Sequence, residues 1–181
     1  MAFRRSEPPP QTATARPARP SGMAVRVFTP DYVLGGFIEP PGQAFLGWLN
    51  NVNQRAIVLN HAQAMGLSPD SRVQAFSPAE AALPKSRLVA LDLMDDTGRR
   101  SIQLAQRRVP AAIYAAGFII RAHLHPTGDM PATNLFNVMA ADFFAVSDAE
   151  IRVAGPGRDF GPPQAQVLLI NQHWVDFYHP L

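Results

Sequence analysis

The chain contains no cysteine. That excludes disulfide scaffolds, thiolate metal sites and thiol nucleophiles. It contains a single lysine, Lys85, so Schiff-base chemistry and lysine-rich anion sites have little to draw on. No stretch reaches the roughly 18 consecutive apolar residues of a membrane-spanning helix, and none is expected. Met1 is not followed by the apolar segment of a secretory signal, which leaves a cytoplasmic protein as the expectation. The phosphate-cradling patterns Gly-x-x-x-x-Gly-Lys and Gly-x-Gly-x-x-Gly are missing, as is the nucleophile pattern Gly-x-Ser-x-Gly. No cofactor is expected from these absences, and an enzyme is not favoured.

What is present is enough apolar material for a core: 47% of the 181 residues are hydrophobic. The basic excess is unevenly placed. Arg4, Arg5, Arg16 and Arg19 against Glu7 give residues 1–22 a net charge of +3, and the whole-chain value of +2 leaves −1 for the remainder. Residues 1–22 are rich in Pro, Ala, Thr and Arg and poor in core-forming side chains, so they are expected to be a disordered basic tail. The tail reads as passive, as a start-site artefact before Met23, or as a basic arm. A near-neutral folded part lacks the basic face that marks most nucleic-acid-binding domains.

Self-similarity is the strongest signal. Tyr32–Val52 (YVLGGFIEPPGQAFLGWLNNV) aligns without a gap on Phe118–Val138 (FIIRAHLHPTGDMPATNLFNV). Pro40 meets Pro126, Gly42 meets Gly128, Leu49 meets Leu135, Asn51 meets Asn137 and Val52 meets Val138. With one residue inserted, IVLNHAQAM (57–65) meets FAVSDAEIR (144–152), and SRLVALD further resembles AQVLLIN. Tyr32, Leu34, Gly36 and Ile38, with their counterparts Phe118, Ile120, Ala122 and Leu124, alternate with period two, which predicts a half-buried strand in each copy. The Pro-x-Gly turns end those strands, since glycine accepts positive φ. Phe45, Trp48, Leu49 and Val52 then fall on one face of a short helix, a stripe kept in the second copy by Leu135 and Val138.

Further strands are predicted at Ile57–Leu59, Phe143–Val146, Arg87–Leu93, Ser101–Leu104 and Gln166–Ile170. Thr97-Gly98 reads as a hairpin turn, surrounded by solvated Asp92, Asp95 and Asp96. Gly66–Pro84 reads as a proline-rich loop with a short strand at Arg72–Phe76, and Asn50, Asn51 and Asn137 as helix ends in the left-handed region. The expected architecture is therefore all-β. It comprises residues 23–107 and 108–181 as two tandem small sheet or barrel modules with pseudo-twofold symmetry, each with one short helix in a connection.

The pattern Thr29-x-x-Tyr32-x-Leu34-x-Gly36, then Phe45-Leu46-Gly47-Trp48-Leu49-Asn50, then Leu59-Asn60-His61-Ala62, resembles a family of small bacterial β domains of unknown function. The resemblance covers about half of the chain and implies an all-β fold and no activity. The second copy departs from it, with Arg121 and Ala122 where glycine is expected.

Two sets of candidate functional residues remain. His123-x-His125 places two imidazoles on one strand face, with Asp129 after the turn as a third metal ligand, although Arg121 shares that face and disfavours a cation. Trp48, Trp174, Phe177 and Tyr178 are aromatic enough to line a groove, and Trp48, Trp174 and Tyr178 are the candidates for interaction, with core or interface packing as the default for each. The leading expectation is a non-enzymatic interaction or assembly protein that meets a protein partner or a second copy through exposed strand edges. A nucleic-acid-binding barrel comes second, and an enzyme or ligand carrier using the His123/His125 face third.

Overall fold

The computed structural model describes residues 21–39, 42, 44–71, 74–154 and 163–181; the expected tail lies almost entirely outside them. The strands are β1 (Met23–Phe28), β2 (Tyr32–Ile38), β3 (Ala56–Gly66), β4 (Ala75–Phe76), β5 (Glu80–Pro84), β6 (Ala90–Leu93), β7 (Val109–Ala115), β8 (Phe118–Leu124), β9 (Phe143–Val153), β10 (Gln164–Asn171) and β11 (Val175–Pro180). Short helices intervene: α1 (Phe45–Leu49), α2 (Asp96–Arg100) and α3 (Leu135–Val138). The chain is thus mostly β. Its strands form one antiparallel sheet in the order β11-β7-β8-β9-β10-β6-β1-β2-β3-β4, with β5 also paired to β3. Among the described residues, no ladder closes this sheet into the barrels anticipated from the sequence.

Alternation sets which side chains are inside. Leu34 and Ile38 of β2 and Phe118, Ile120, Ala122 and Leu124 of β8 are buried, as their period-two pattern requires. Gly42 and Gly128, the turn glycines after β2 and β8, adopt φ of 65° and 58°, which a Cβ would strain. One ladder irregularity interrupts β2–β3 between Gly35 and Phe37, and another interrupts β8–β9 between Arg121 and His123. At each, a non-glycine residue takes positive φ: His61 at 51° and Asp148 at 50°. These two residues meet in the one-residue-shifted alignment.

The connections run in parallel. In the first half, β3 pairs with β5, a 3-10 turn (Lys85–Arg87) follows, and β6 returns to pair with β1. In the second, β9 pairs with β10, a 3-10 turn (Gln172–Trp174) follows, and β11 returns to pair with β7.

Two hydrophobic clusters result. One is built mainly from β1–β3, β6 and α1, and the other mainly from β7–β10. They share the central pair β10–β6, where Leu168 faces Asp92, Leu169 faces Leu91 and Ile170 faces Ala90. Val167 and Leu169 pack into the first cluster with Leu91 and Leu93, while Leu168 and Ile170 pack into the second with Ala90. Each central strand therefore lends one face to each core. At about 1.5–3 kcal/mol for each fully buried aliphatic side chain, this junction is a substantial part of the fold's stability.

Several local expectations are corrected. Asp96–Arg100 is a helix and not a hairpin turn. Asp95 accepts a hydrogen bond from the Gly98 N–H at 2.7 Å as its N-cap, and Asp96 at the start with Arg99 and Arg100 at the end suit the helix dipole. Ser101–Leu104 is accordingly not a strand. Within Gly66–Pro84, expected to be loop, Glu80–Pro84 forms β5 on the edge of β3; of the short strand expected at Arg72–Phe76, Ala75–Phe76 is a strand, and residues 72–73 lie outside the described residues. Strand β7 has no counterpart among the strands expected from the sequence. Helix α1 stops at Leu49, so Val52 is 82% exposed, and Val138 at the corresponding place is 62% exposed. Asn50 has φ of −82°, and neither Asn51 nor Asn137 is among the described residues with positive φ. SRLVALD and AQVLLIN occupy different sheet positions, one beside β1 and the other beside β9.

Candidate functional site

The free edges of the sheet stand out when compared with its centre. β10 is buried from Val167 to Asn171 and β6 along its whole length, because each has a neighbour on both sides. β5 and β11 each pair with one neighbouring strand among the described residues, and their residues are half-buried or exposed. Among the described residues, the backbone groups on the outer side of these two strands have no ladder partner, which makes them templates for another strand.

An aromatic pair lies on the β11 edge. Phe177 is 56% exposed and stacks on Tyr114 with ring centroids 4.2 Å apart. Beside it, Phe136, Val175, Phe177 and Tyr178 help line a groove of about 290 Å³.

The three aromatics singled out in the sequence each make contacts within the chain. Trp48 is half-buried and tilted against Phe45, 5.2 Å between centroids, over the first core. The Trp174 Nε1–H donates to the Ser86 carbonyl at 2.9 Å, and the Arg87 guanidinium lies 6.0 Å from its ring centre. The Tyr178 hydroxyl donates towards the carbonyls of Ala132 and Thr133, and its ring meets the edge of Phe136 at 4.5 Å. Phe177 presents the outward surface that the alternation of β11 denies to Tyr178.

A larger cleft of about 510 Å³ opens at the junction, between Arg26, Asp92 and Arg99 on one side and Asp148, Glu150 and Gln166 on the other. Asp92 is the notable group. The sequence places it beside Asp95 and Asp96 as a solvated turn residue, yet it lies within β6 and is buried. Burial pushes its carboxyl up to about 6, opposed by the cations of Arg26, 3.9 Å away, and Arg99.

The histidine pair meets a polar network and not a ligand set. His125 Nδ1 is 2.6 Å from the Ala105 carbonyl, and its Nε2 is 2.9 Å from Ser147 Oγ. Arg108 donates to Ser147 Oγ at 3.0 Å and is ion-paired with Asp148. His123 Nδ1 is buried without a hydrogen-bond partner among the described residues, 3.4 Å from Asp148 Oδ2. An ion pair forms there only when the imidazole is protonated. Among the described residues no group of three or more His, Asp or Glu side chains is placed to hold a metal ion, so Asp129 does not join the two histidines as a ligand. The reason is positional: β8 ends at Leu124, so His125 turns towards the Ala105 segment and Asp129 lies beyond the turn.

The single lysine is also committed to the fold. Lys85 Nζ donates to the carbonyls of Leu49 (2.6 Å) and Asn51 (2.8 Å), which closes the end of α1, and burial lowers its pKa. Asn50 ties α1 to the second half, donating to the Phe143 carbonyl at 3.0 Å and accepting from the Phe143 N–H at 2.8 Å.

Comparison with protein-family models, with curated proteins and with solved structures finds no match to this chain. The resemblance to small bacterial β domains therefore rests on the sequence motifs alone. Among the described residues, no helix is long and apolar enough to cross a membrane.

Proposed function

We propose that this chain is a non-enzymatic interaction and assembly protein, built from a duplicated β module (residues 23–107 and 108–181), which engages protein partners through its two free strand edges. The duplication is supported by more than the aligned residues. Phe143 pairs with Asn171 as Ala56 pairs with Pro84, with 87 residues from Ala56 to Phe143 and from Pro84 to Asn171. Phe177 lies opposite Tyr114 as Ala90 lies opposite Phe28, again with 87 residues from Ala90 to Phe177. The paired positive-φ residues His61 and Asp148, and the paired turn glycines Gly42 and Gly128, add independent backbone agreement.

The observation that carries the interaction reading is the β10–β6 ladder. It joins the fourth-position strand of one half to the last strand of the other and buries both. The same two strand positions remain open at β5 and β11. A module that associates in this way within the chain has the surface to associate outside it.

The test is site-specific incorporation of a photo-crosslinking phenylalanine analogue at Ala82 or Phe177 in cells, with Val52 as an exposed control. Adducts of defined mass from the edge positions, absent from the control, are expected. Edge positions that yield no more adduct than Val52 contradict the reading.

A further inference from the structure

We infer that the occupant of each free edge is a second copy of this chain, joined head to tail, with β5 of one copy pairing antiparallel with β11 of the next. This deepens the interaction reading and rests on it. The internal junction supplies the register. There, Leu168, Leu169 and Ile170 face Asp92, Leu91 and Ala90. Moved to the corresponding positions at the edges, this pairing sets Ala81 opposite His179, Ala82 opposite Tyr178 and Leu83 opposite Phe177.

The backbone is phased for it. The Lys85 N–H bonds to the Arg55 carbonyl and the His61 N–H to that of Ala79, so the alternation of an antiparallel ladder turns the N–H and C=O groups of Glu80 and Ala82 away from β3. The Leu181 N–H bonds to the Pro110 carbonyl, and the same alternation turns Tyr178 and Pro180 away from β7. Ala82 and Tyr178 thus hold the positions that Leu169 and Leu91 hold at the internal junction.

Two prolines bound the contact. Asn171 donates its N–H to the Val89 carbonyl at the internal junction, and its counterpart Pro84 has no N–H to donate. Pro180 likewise donates nothing. Each sits at one end of the transferred ladder, which leaves Ala82 and Tyr178 free to exchange both bonds at its centre. The ladder is therefore short.

Side chains agree with the register. Ala90, whose position Phe177 matches, packs beside Ile170 in the second core. Phe177 in the new contact falls against Leu83, which is half-buried over the first core. This places the exposed Phe177–Tyr114 stack on an apolar strand and removes it from water. Because the two contacting surfaces differ, the association is heterologous. It produces a ring when the rotation closes and a filament when it does not.

The experiment uses the full chain and two variants, each blocked at one edge. Ala82→Pro removes an outward N–H and spares the bonds to β3, and Phe177→Asp places a charge in the contact. Light scattering and native mass spectrometry are read together with circular dichroism for fold retention. The wild-type chain is expected to be oligomeric. Each folded variant alone is expected to be a monomer, and an equimolar mixture is expected to form a one-to-one heterodimer through the one intact pair of edges. Should either variant not fold, amide exchange of the wild-type chain reads the same contact: Ala82 and Tyr178 exchange more slowly in the oligomer than in the diluted monomer. A wild-type chain that stays monomeric at its highest soluble concentration overturns the inference, as do oligomers that survive both substitutions. If that monomer still yields edge crosslinks to a different protein in cells, self-pairing falls and the interaction reading stands; if it yields none, both fall.

Discussion

Asp92→Asn should stabilise this protein at neutral pH and lose that advantage in acid. Asp92 sits in β6, with Leu168 of β10 on one side and Arg26 of β1 on the other. Its carboxyl is raised from 3.8 to about 6 chiefly by burial. The sign follows from proton binding. Between those two values the folded chain holds a proton that the unfolded chain has released, so stability rises as the pH falls from 6 towards 3.8. Above about 6 both states are ionised and the folded state bears the full cost of a buried carboxylate. A displacement of this size corresponds to roughly 3 kcal/mol. The neutral amide that this substitution introduces carries no such cost and keeps the side-chain shape. Urea denaturation of both proteins from pH 4 to pH 8 should therefore give a variant more stable by up to about 3 kcal/mol at pH 7, with the gap closing towards pH 4. A gap that does not change with pH, or a variant less stable at pH 7, refutes the reasoning, because it would mean that the Arg26 and Arg99 charges outweigh burial.

Two further outcomes concern the junction of the halves. Leu169→Ala truncates a fully buried side chain of β10 that packs into the first half's core; it should cost about 2–5 kcal/mol in chemical denaturation while unfolding remains a single transition. Asn50→Ala removes the donor and the acceptor that meet the Phe143 backbone, and a loss of about 1–3 kcal/mol is expected in the same assay.

The parts of the fold that are legible in the sequence are those with strong local periodicity. β2 and β8 announce themselves through alternating apolar residues and a following Pro-x-Gly, and the all-β class follows from such segments. β5 is not legible, because Glu80–Pro84 lies in a proline-rich stretch and its extended conformation is imposed by β3, a tertiary effect. β7 escapes for a similar reason: Val109–Ala115 is alanine-rich and contains Pro110, so its strand character comes from β8 and β11 on either side. Asp92 misleads because its neighbours Asp95 and Asp96 invite a turn, and only the pairing of β6 with β10 reveals its burial. The candidate site suffers most. The sequence sets Phe177 and Tyr178 side by side as aromatics, and which of the two faces outward depends on the phase of β11 against β7. Spacing groups His123 with His125 and suggests Asp129 as their third partner, whereas β8 ends at Leu124 and the pair meets Ser147 and Asp148 of β9, which only tertiary pairing brings there.

The central claim is that the open β5 and β11 edges are surfaces of self-assembly. It is tested most directly by multi-angle light scattering of the full chain across a concentration series, at low and at high salt. A self-association whose weight-average mass rises with concentration and is insensitive to salt is expected, since the contact is made of backbone hydrogen bonds and apolar side chains. A monomer at every concentration contradicts it, as does an assembly that dissolves in salt.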